Sequence, residues 1–134
     1  MQDTKIRFYT KRHVWFEKDK HGHWRFGITQ YGSEQMNGVT YVLLASGADY
    51  IEKGEELASL ESRKACEIIE NPFDVALVLY ENKDVTFNPS ILDEKADETS
   101  IGTLDAVNFT EDKAKELGLM TPDEYKAYLE QLEA

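Results

Sequence analysis

The lysine in the stretch ESRKA, Lys64, is the residue whose surroundings point most directly to chemistry. It follows Arg63 between two short apolar segments, LASLE and CEII, which predict a strand before the turn and a strand after it. A lysine on such a hairpin tip stands away from the protein body, so an enzyme can reach its amine and attach a group through an amide. Lysine amines are protonated at neutral pH, so that enzyme must activate the acyl donor itself. The alternative is an ordinary exposed lysine.

Other titratable residues give weaker indications of a site. His21 and His23 flank a glycine in KHGHW without a third ligand nearby, which favours a solvated hairpin loop over a metal site. His13, beside a tryptophan, is interpreted as structural. Cys66 opens an apolar segment near Lys64, and a small packing residue is favoured over a redox thiol. We find no nucleophile elbow and no phosphate-binding glycine motif, so hydrolase and nucleotide-binding functions have no support.

The elements around Lys64 are mostly short strands. HWRFGIT places Trp24, Phe26 and Ile28 on one face at period two, and VTYVLL is a β-branched and aromatic run. SEQMNG between them predicts one helical turn. Six or seven short strands with frequent breaks predict a small barrel or sandwich, and the acidic stretch at residues 81–100 predicts a loop.

Two helices are predicted at the end of the chain, at about residues 110–117 and 122–132. The first has Thr110 as N-cap and Gly118 as its stop, and the second begins with the capping box TPDE. The second helix carries an apolar stripe of Tyr125, Tyr128, Leu129 and Leu132. Such a stripe favours packing on the strands over binding a partner in a groove.

Composition predicts a single domain over residues 1–134. The net charge of -11 disfavours nucleic acid, because phosphate binding needs clustered lysine and arginine, and any charged partner should present a basic surface. No apolar run is long enough to span a membrane, and no signal peptide is apparent, so we expect a cytoplasmic protein. The single cysteine excludes an intrachain disulfide and gives no zinc framework.

Four ordered blocks resemble the glycine cleavage system H-protein family, and the similarity covers nearly the whole chain. They are YTKRHVW, GITQYGSEQMNGVTYVLL, DYIEKGEELASLESRKA and LGLMTPDEYKAYLE. The third block is similar to the family's lipoylation motif. The resemblance implies a mainly β fold, a barrel-sandwich hybrid with short C-terminal α-helices, which agrees with the strand-rich body read from the residues. A biotin carrier shares that architecture, but its lysine usually lies between methionines, unlike Lys64 between Arg63 and Ala65.

By this resemblance Lys64 is the lipoyl attachment point, and Glu61 is the acid by which the lipoylating enzyme recognises it. Gly54 would form the tight turn before the attachment hairpin, and Ala65 would keep its tip small. The implied function is that of a covalent carrier with no catalysis of its own and no metal. Lipoate is the implied cofactor, joined to Lys64 through an amide.

The implied reaction sequence is glycine cleavage. The lipoyl group accepts an aminomethyl group at a glycine decarboxylase, delivers it to an aminomethyltransferase, and is reoxidised by dihydrolipoyl dehydrogenase. A lipoate ligase or lipoyltransferase would load the carrier, which is expected to be a monomer. Tethering on a flexible arm would raise the effective concentration of the carried group.

Five features depart from the family pattern, one of which is the absence of the usual glycine after Pro72, in FDVALVLYEN. Arg63 replaces a small apolar residue, Val14 stands where Glu is usual, Ala48 replaces a glycine, and TSIGTLDA replaces a PYGEGW-like segment. These departures leave two alternatives to glycine cleavage. One is an H-like lipoyl carrier used for lipoate relay or in a macrodomain and sirtuin-type ADP-ribosylation system. The other is a non-lipoylated interaction domain that keeps only the fold.

Overall fold

Two antiparallel sheets form the body of the protein. A computed structural model describes residues 5–45 and 50–133, and within these it contains nine strands. They are β1 Arg7–Tyr9, β2 Val14–Lys18, β3 Trp24–Ile28, β4 Val39–Leu44, β5 Ile51–Glu52, β6 Glu56–Ser62, β7 Cys66–Glu70, β8 Val75–Glu81 and β9 Gly102–Ala106. The larger sheet has the order β1-β2-β3-β9-β8-β5, and the smaller sheet has the order β4-β6-β7.

Side chains from both sheets form one apolar core. The predicted face of β3 is confirmed, since Trp24, Phe26 and Ile28 are all buried. Phe16 on β2 stacks on Phe26 with ring centroids 6.0 Å apart, and Phe73 meets Phe16 edge-on at 5.1 Å. Burying each of these rings contributes roughly 1.5–3 kcal/mol. The packing of two sheets on one core agrees with the predicted mainly β barrel-sandwich architecture.

The segment TSIGTLDA, which departs from the family pattern, contributes a central strand. It contains β9, which lies between β3 and β8 in the larger sheet. A Cβ added at Gly102 would lie 2.8 Å from the carbonyl oxygen of Tyr80, so this position is closed to larger residues. The segment is therefore part of the scaffold. Ala48, another departure, lies outside the residues that the structure describes.

The prediction of a loop at residues 81–100 is wrong. This stretch contains α2 Lys83–Phe87, α3 Leu92–Lys95 and two 3-10 turns, Pro89–Ile91 and Ala96–Glu98. Val85, Leu92 and Ala96 are fully buried and anchor these pieces to the core. Each piece is five residues or shorter, so none repeats an apolar position often enough to show helical periodicity in the sequence.

Two other helices flank the sheets. The helical turn predicted at SEQMNG belongs to α1 Gln30–Met36, which is capped by the Thr29 side chain and ends at Asn37 in the left-handed conformation. The last helix, α4, spans Pro122–Glu133, one residue beyond the predicted 122–132. In its capping box the Thr121 N–H donates to Glu124, whose own N–H donates to the Thr121 hydroxyl. No helix within residues 5–45 and 50–133 is long and apolar enough to cross a membrane.

The helix predicted at about 110–117 differs from the structure, which has a 3-10 turn at Glu111–Lys113 followed by further turns. Thr110 makes no side-chain capping bond to the backbone. Gly118 adopts a positive φ of 78°, and the Leu119 N–H donates to the Ala114 carbonyl, which closes the segment. Between Thr110 and Gly118 only Ala114 is buried, so this segment lacks the packed apolar face that stabilises most helices in proteins.

A buried carboxylate joins three neighbouring strands of the larger sheet, β1, β2 and β3. Glu17 on β2 is almost fully buried and forms ion pairs with Arg7, at 3.0 Å, and with Arg25. Arg7 also lies 4.0 Å above the ring of Trp15. Burial alone would raise the pKa of Glu17, but the hydrogen bonds and charges of Arg25 and Arg7 outweigh it and lower the pKa. The ionised carboxylate therefore stabilises the fold.

We predict that Glu17→Gln lowers the free energy of unfolding at neutral pH by about 1–3 kcal/mol, because an amide bonds two guanidinium groups more weakly than a carboxylate does. Since the folded-state pKa of Glu17 lies below its ordinary value of 4.5, its contribution is present above pH 4.5 and is lost as the pH falls through the folded-state pKa. The free energy of unfolding of the variant should therefore lack the fall at low pH that protonation of Glu17 causes in the wild type. Urea unfolding across this range measures both effects.

Glu111→Gln provides the matched control, because Glu111 pairs with Lys18 at 3.1 Å on the surface. Such exposed pairs contribute less than about 1 kcal/mol. Equal losses in the two variants would contradict a special role for Glu17.

Candidate functional site

Lys64 lies on the turn that joins β6 to β7, at residues 62–65, which we call the lysine turn. The Ser62 N–H donates to the Ala65 carbonyl at 2.8 Å. The Ser62 hydroxyl oxygen also accepts from the N–H groups of Lys64, at 3.2 Å, and Ala65, at 3.0 Å. A serine therefore closes this turn through local side-chain bonds, in place of the Asn-Gly or glycine that usually marks a tight hairpin.

The amine of Lys64 is accessible. The residue is exposed, and its Nζ lies 3.5 Å from the carbonyl oxygen of Gln35, near the C-terminus of α1. This contact is long and solvent-exposed, so it holds the amine weakly. Within the described part of the chain, Lys64 forms no ion pair with a carboxylate. An enzyme that binds the lysine turn therefore has to break only one weak contact of the Lys64 amine.

Glu61 lies near Lys64, at the end of β6. It is exposed and stands opposite Cys66 on β7 and Tyr41 on β4. The structure thus brings the two predicted site residues, Lys64 and Glu61, to one end of the same hairpin. Their side chains make no ion pair in the residues described, so the Glu61 carboxylate is available to a partner.

Arg63 is exposed at the lysine turn. It forms no ion pair with the part of the chain described here. Nothing in the structure explains why arginine occupies this position.

The interpretation of Cys66 as a packing residue is wrong. Its thiol is free and the residue is exposed, on the solvent side of β7. The short apolar run CEII does not indicate which of its residues face the core. The side of β7 that faces the core is set by its pairing with β6. Ile69 is buried, whereas Cys66 and Ile68 are exposed.

The two histidines that could have been metal ligands lie in the turn between β2 and β3. The N–H groups of His21 and His23 both donate to the Asp19 carboxylate, at 2.8 and 2.9 Å. Their rings are 6.4 Å apart. No group of three metal-ligating side chains occurs in the described residues.

A groove with a cavity volume of about 250 Å³ lies beside the lysine turn, between residues 11–14 and 65–69. Met36, Leu60 and Ile69 give it an apolar lining. Arg12 and Glu67 form an exposed ion pair at its edge, with 3.6 Å between the charged atoms. Val14, which departs from the usual Glu, is buried and adds a further apolar group to the groove.

His13 also lines the groove and connects it to α4. Its Nδ1 lies 2.9 Å from the Tyr125 hydroxyl, which is 2.8 Å from the Thr29 hydroxyl. Burial lowers the pKa of His13, with a smaller opposing effect from Glu67, and burial raises the pKa of Tyr125 to about 12. This bonding agrees with the structural interpretation of His13.

Gly54 lies in the turn between β5 and β6, on the path into the attachment hairpin. It has a φ of +88°, a conformation that favours glycine, and its N–H donates to the Asn71 carbonyl at 2.8 Å. Asn71 is buried, and its side chain donates to the carbonyl of Ile51. This turn is therefore tied to the chain that leaves β7.

Known proteins resemble this chain in sequence and in structure. A family model described as "Glycine cleavage H-protein" matches residues 7–132. Glycine cleavage system H protein 4 of Aquifex aeolicus is 31% identical over 94% of this chain and 71% of its own. The mitochondrial glycine cleavage system H protein of Drosophila melanogaster is 30% identical over 94% of this chain and 74% of its own.

A solved structure resembles the fold. A crystal structure of a glycine cleavage system H protein from Mycobacterium marinum matches with a TM-score of 0.76 and 20% sequence identity. The match covers 94% of this chain and 98% of the other. It supports the barrel-sandwich architecture.

We predict that Ser62→Ala destabilises the protein by about 1 kcal/mol, because the lysine turn loses the hydroxyl that accepts two of its N–H groups. Hydrogen exchange at the Lys64 and Ala65 amides should become faster. Urea unfolding and amide exchange measure the two effects.

Ser59→Ala on the same strand is the control, because no hydrogen bond of the Ser59 side chain is found among the described residues. Unchanged exchange at both amides in Ser62→Ala would contradict the assigned role of the hydroxyl.

Proposed function

The chain belongs to the glycine cleavage H-protein family, and on that premise we propose that it is a lipoyl carrier whose attachment point is the Lys64 amine. One observation carries this proposal: the amine is exposed on a turn whose backbone is fixed by Ser62. A fixed backbone with an exposed side chain presents the same target to a modifying enzyme at every encounter.

The attachment is an acyl transfer to Nζ. The amine must first lose a proton, and its lone pair then forms a bond to the acyl carbon of an activated lipoate. The bond to the leaving group breaks, the leaving group takes its electron pair, and a second proton leaves the nitrogen. The product is a neutral amide, so the lysine turn loses one positive charge while Arg63 keeps its own.

Glu61 is proposed as the recognition acid. Its carboxylate is exposed at the strand end next to the lysine turn and is not used by an ion pair within residues 5–45 and 50–133. An attaching enzyme that places a cation or hydrogen-bond donor there would select Lys64 over other exposed lysines.

After the lipoyl group is attached, the chain contributes by positioning that group at its partner enzymes. When bound, the lipoyl group supplies a disulfide that accepts an aminomethyl group from glycine. Lys64 holds the group on a flexible side chain, which raises its effective concentration at a docked enzyme. The apolar groove beside the lysine turn fits a mostly apolar arm, since Met36 and Leu60 line it. No residue of the chain needs to break a bond, which is consistent with a non-catalytic carrier.

The proposed partners are glycine decarboxylase, aminomethyltransferase, dihydrolipoyl dehydrogenase, and a lipoate ligase or lipoyltransferase. With a net charge of -11, the chain, acting as a monomer, favours docking surfaces that are basic.

We predict that the wild type gains the mass of one lipoyl group when it is co-expressed with a lipoate ligase, and that Lys64→Arg gains none. Arginine keeps the charge but offers no amine for this acylation. Intact-mass spectrometry measures the result. Lys53→Arg is the matched control, because Lys53 is also exposed on a turn beside β6 and its loss should leave the mass gain unchanged.

An unmodified wild type would overturn the proposed attachment, as would an equal gain in Lys64→Arg. The loaded protein can then be tested in a reconstituted glycine-CO₂ exchange assay. Exchange that depends on Lys64 supports glycine cleavage, whereas a loaded protein without exchange would indicate lipoate relay.

We predict that Glu61→Gln slows the initial rate of lipoylation about tenfold, as expected for the loss of one well-placed charged contact. Glu70→Gln, an exposed acid at the other end of β7, should leave the rate unchanged. Mass spectrometry at early times measures both rates. Equal rates for wild type and Glu61→Gln would remove Glu61 from the recognition site.

A further inference from the structure

We propose that the exposed side of the smaller sheet is the docking surface for the enzyme that attaches lipoate. We call this surface the outer face, and it consists of Tyr41, Leu43, Ser59, Glu61, Cys66 and Ile68. The inference rests on the proposed lipoylation of Lys64 and assigns to that step a set of contacts beyond Glu61.

Strand register brings these six residues together. Tyr41, Glu61 and Cys66 stand side by side in one row across β4, β6 and β7. Leu43, Ser59 and Ile68 form the next row. Because side chains two residues apart on a strand share a face, the two rows make one continuous surface. The first row lies immediately beside the lysine turn.

The outer face is unusually apolar for a solvent-facing sheet. Tyr41 is 48% exposed, Leu43 is 52% exposed and Ile68 is 44% exposed. The alternate residues Val42 and Leu60 are buried in the core, so the smaller sheet carries apolar groups on both sides. Antiparallel sheets with one solvated side normally place polar residues there. A cluster of exposed apolar side chains on such a sheet is typical of a protein interaction site.

The reach of lysine favours the attaching enzyme as the occupant. An extended lysine side chain spans roughly 6 Å, so an enzyme that encloses Nζ must also contact the surface around the lysine turn. Both rows lie within three residues of Ser62 along β6, or about 10 Å at the rise of a strand. An interface of ordinary size, about 800 Å² on each partner, therefore covers them. Enzymes that act on the loaded carrier are reached by a longer arm and do not need this close approach.

The outer face adjoins the groove at Ile68, which also lines the groove, but the two surfaces differ in charge. The groove is edged by Lys11 and by the ion pair of Arg12 with Glu67. The outer face has one charge, the Glu61 carboxylate, among aromatic, aliphatic and small side chains. Interface centres are poor in charged residues and rich in aromatic ones. The outer face thus fits an apolar enzyme surface that carries one cation or donor for Glu61.

The first test compares lipoylation rates. We expect the double variant Tyr41→Ser/Leu43→Ser to lower kcat/KM for lipoylation of Lys64 by about tenfold or more, as for interface anchors. Tyr50→Ser makes the same change at an exposed tyrosine that precedes β5 in the larger sheet, and it should match the wild type. Thermal unfolding of each variant establishes that rates are compared between folded proteins.

The second test uses the native thiol. Cys66 is the only cysteine in the sequence, so iodoacetamide labels the outer face without engineering. A lipoate ligase without ATP or lipoate should slow the alkylation of the wild type in a concentration-dependent way. The same ligase should protect the double variant at least about tenfold less well, in line with its lower rate of lipoylation.

The outcomes separate this inference from the proposed function. If wild type and double variant are lipoylated at equal rates, the docking surface is overturned while the attachment at Lys64 stands. Protection of Cys66 by glycine decarboxylase but not by the ligase also overturns it, and assigns the outer face to that partner. If the wild type is never lipoylated, the proposed attachment fails and this inference fails with it.

Discussion

Backbone pairing between β6 and β7 determines where Lys64 can be, and the proposed chemistry depends on that position. The two strands pair from Glu56 opposite Glu70 to Glu61 opposite Cys66, and the chain reverses immediately afterwards. Since side chains alternate along a strand, the same register directs Leu60 into the core and leaves Glu61 in solvent. A slip of one residue would exchange them, burying a carboxylate and exposing a leucine. Burial of the core residues therefore fixes the strand register, and that register also keeps Glu61 and the lysine turn exposed.

Two surfaces of different charge lie beside the lysine turn and meet at Ile68. One is the groove, with an apolar interior and an ion pair of Arg12 with Glu67 at its edge. The other is the outer face, where three large apolar side chains lie near one carboxylate. A carrier must meet several enzymes in turn, and two chemically distinct surfaces beside one lysine allow them to use different contacts. The strongly negative charge of the chain acts over a longer range and is common to all these encounters.

Much of the fold was predictable from the sequence, and the family resemblance is confirmed. The alternation of Trp24, Phe26 and Ile28 gave their strand face directly, because both the spacing and the residue types favour a half-buried strand. The short helices at residues 83–98 gave no such pattern, since α2 buries only Val85 and α3 buries only Leu92.

Only part of the site could be predicted in the same way. The motif around Lys64 identified the lysine and Glu61. The role of Ser62 depends on hydrogen bonds that cannot be predicted from a single serine in the sequence. A serine at the start of a suspected turn is the one signal that was present. The exposure of Cys66 follows from strand register, which is a tertiary property. Arg63 is equally unexplained by sequence and by structure.

The bond between His13 and Tyr125 connects the groove directly to the last helix. His13 has a φ of +67°, which is unfavourable for a residue with a side chain, and its ring is held by the Tyr125 hydroxyl. A ligand that breaks this bond would remove one of the contacts that hold α4, and by linkage the loss of that contact would change the affinity of the groove by the same factor. Occupancy of the groove is therefore thermodynamically linked to the order of a helix 112 residues away along the chain.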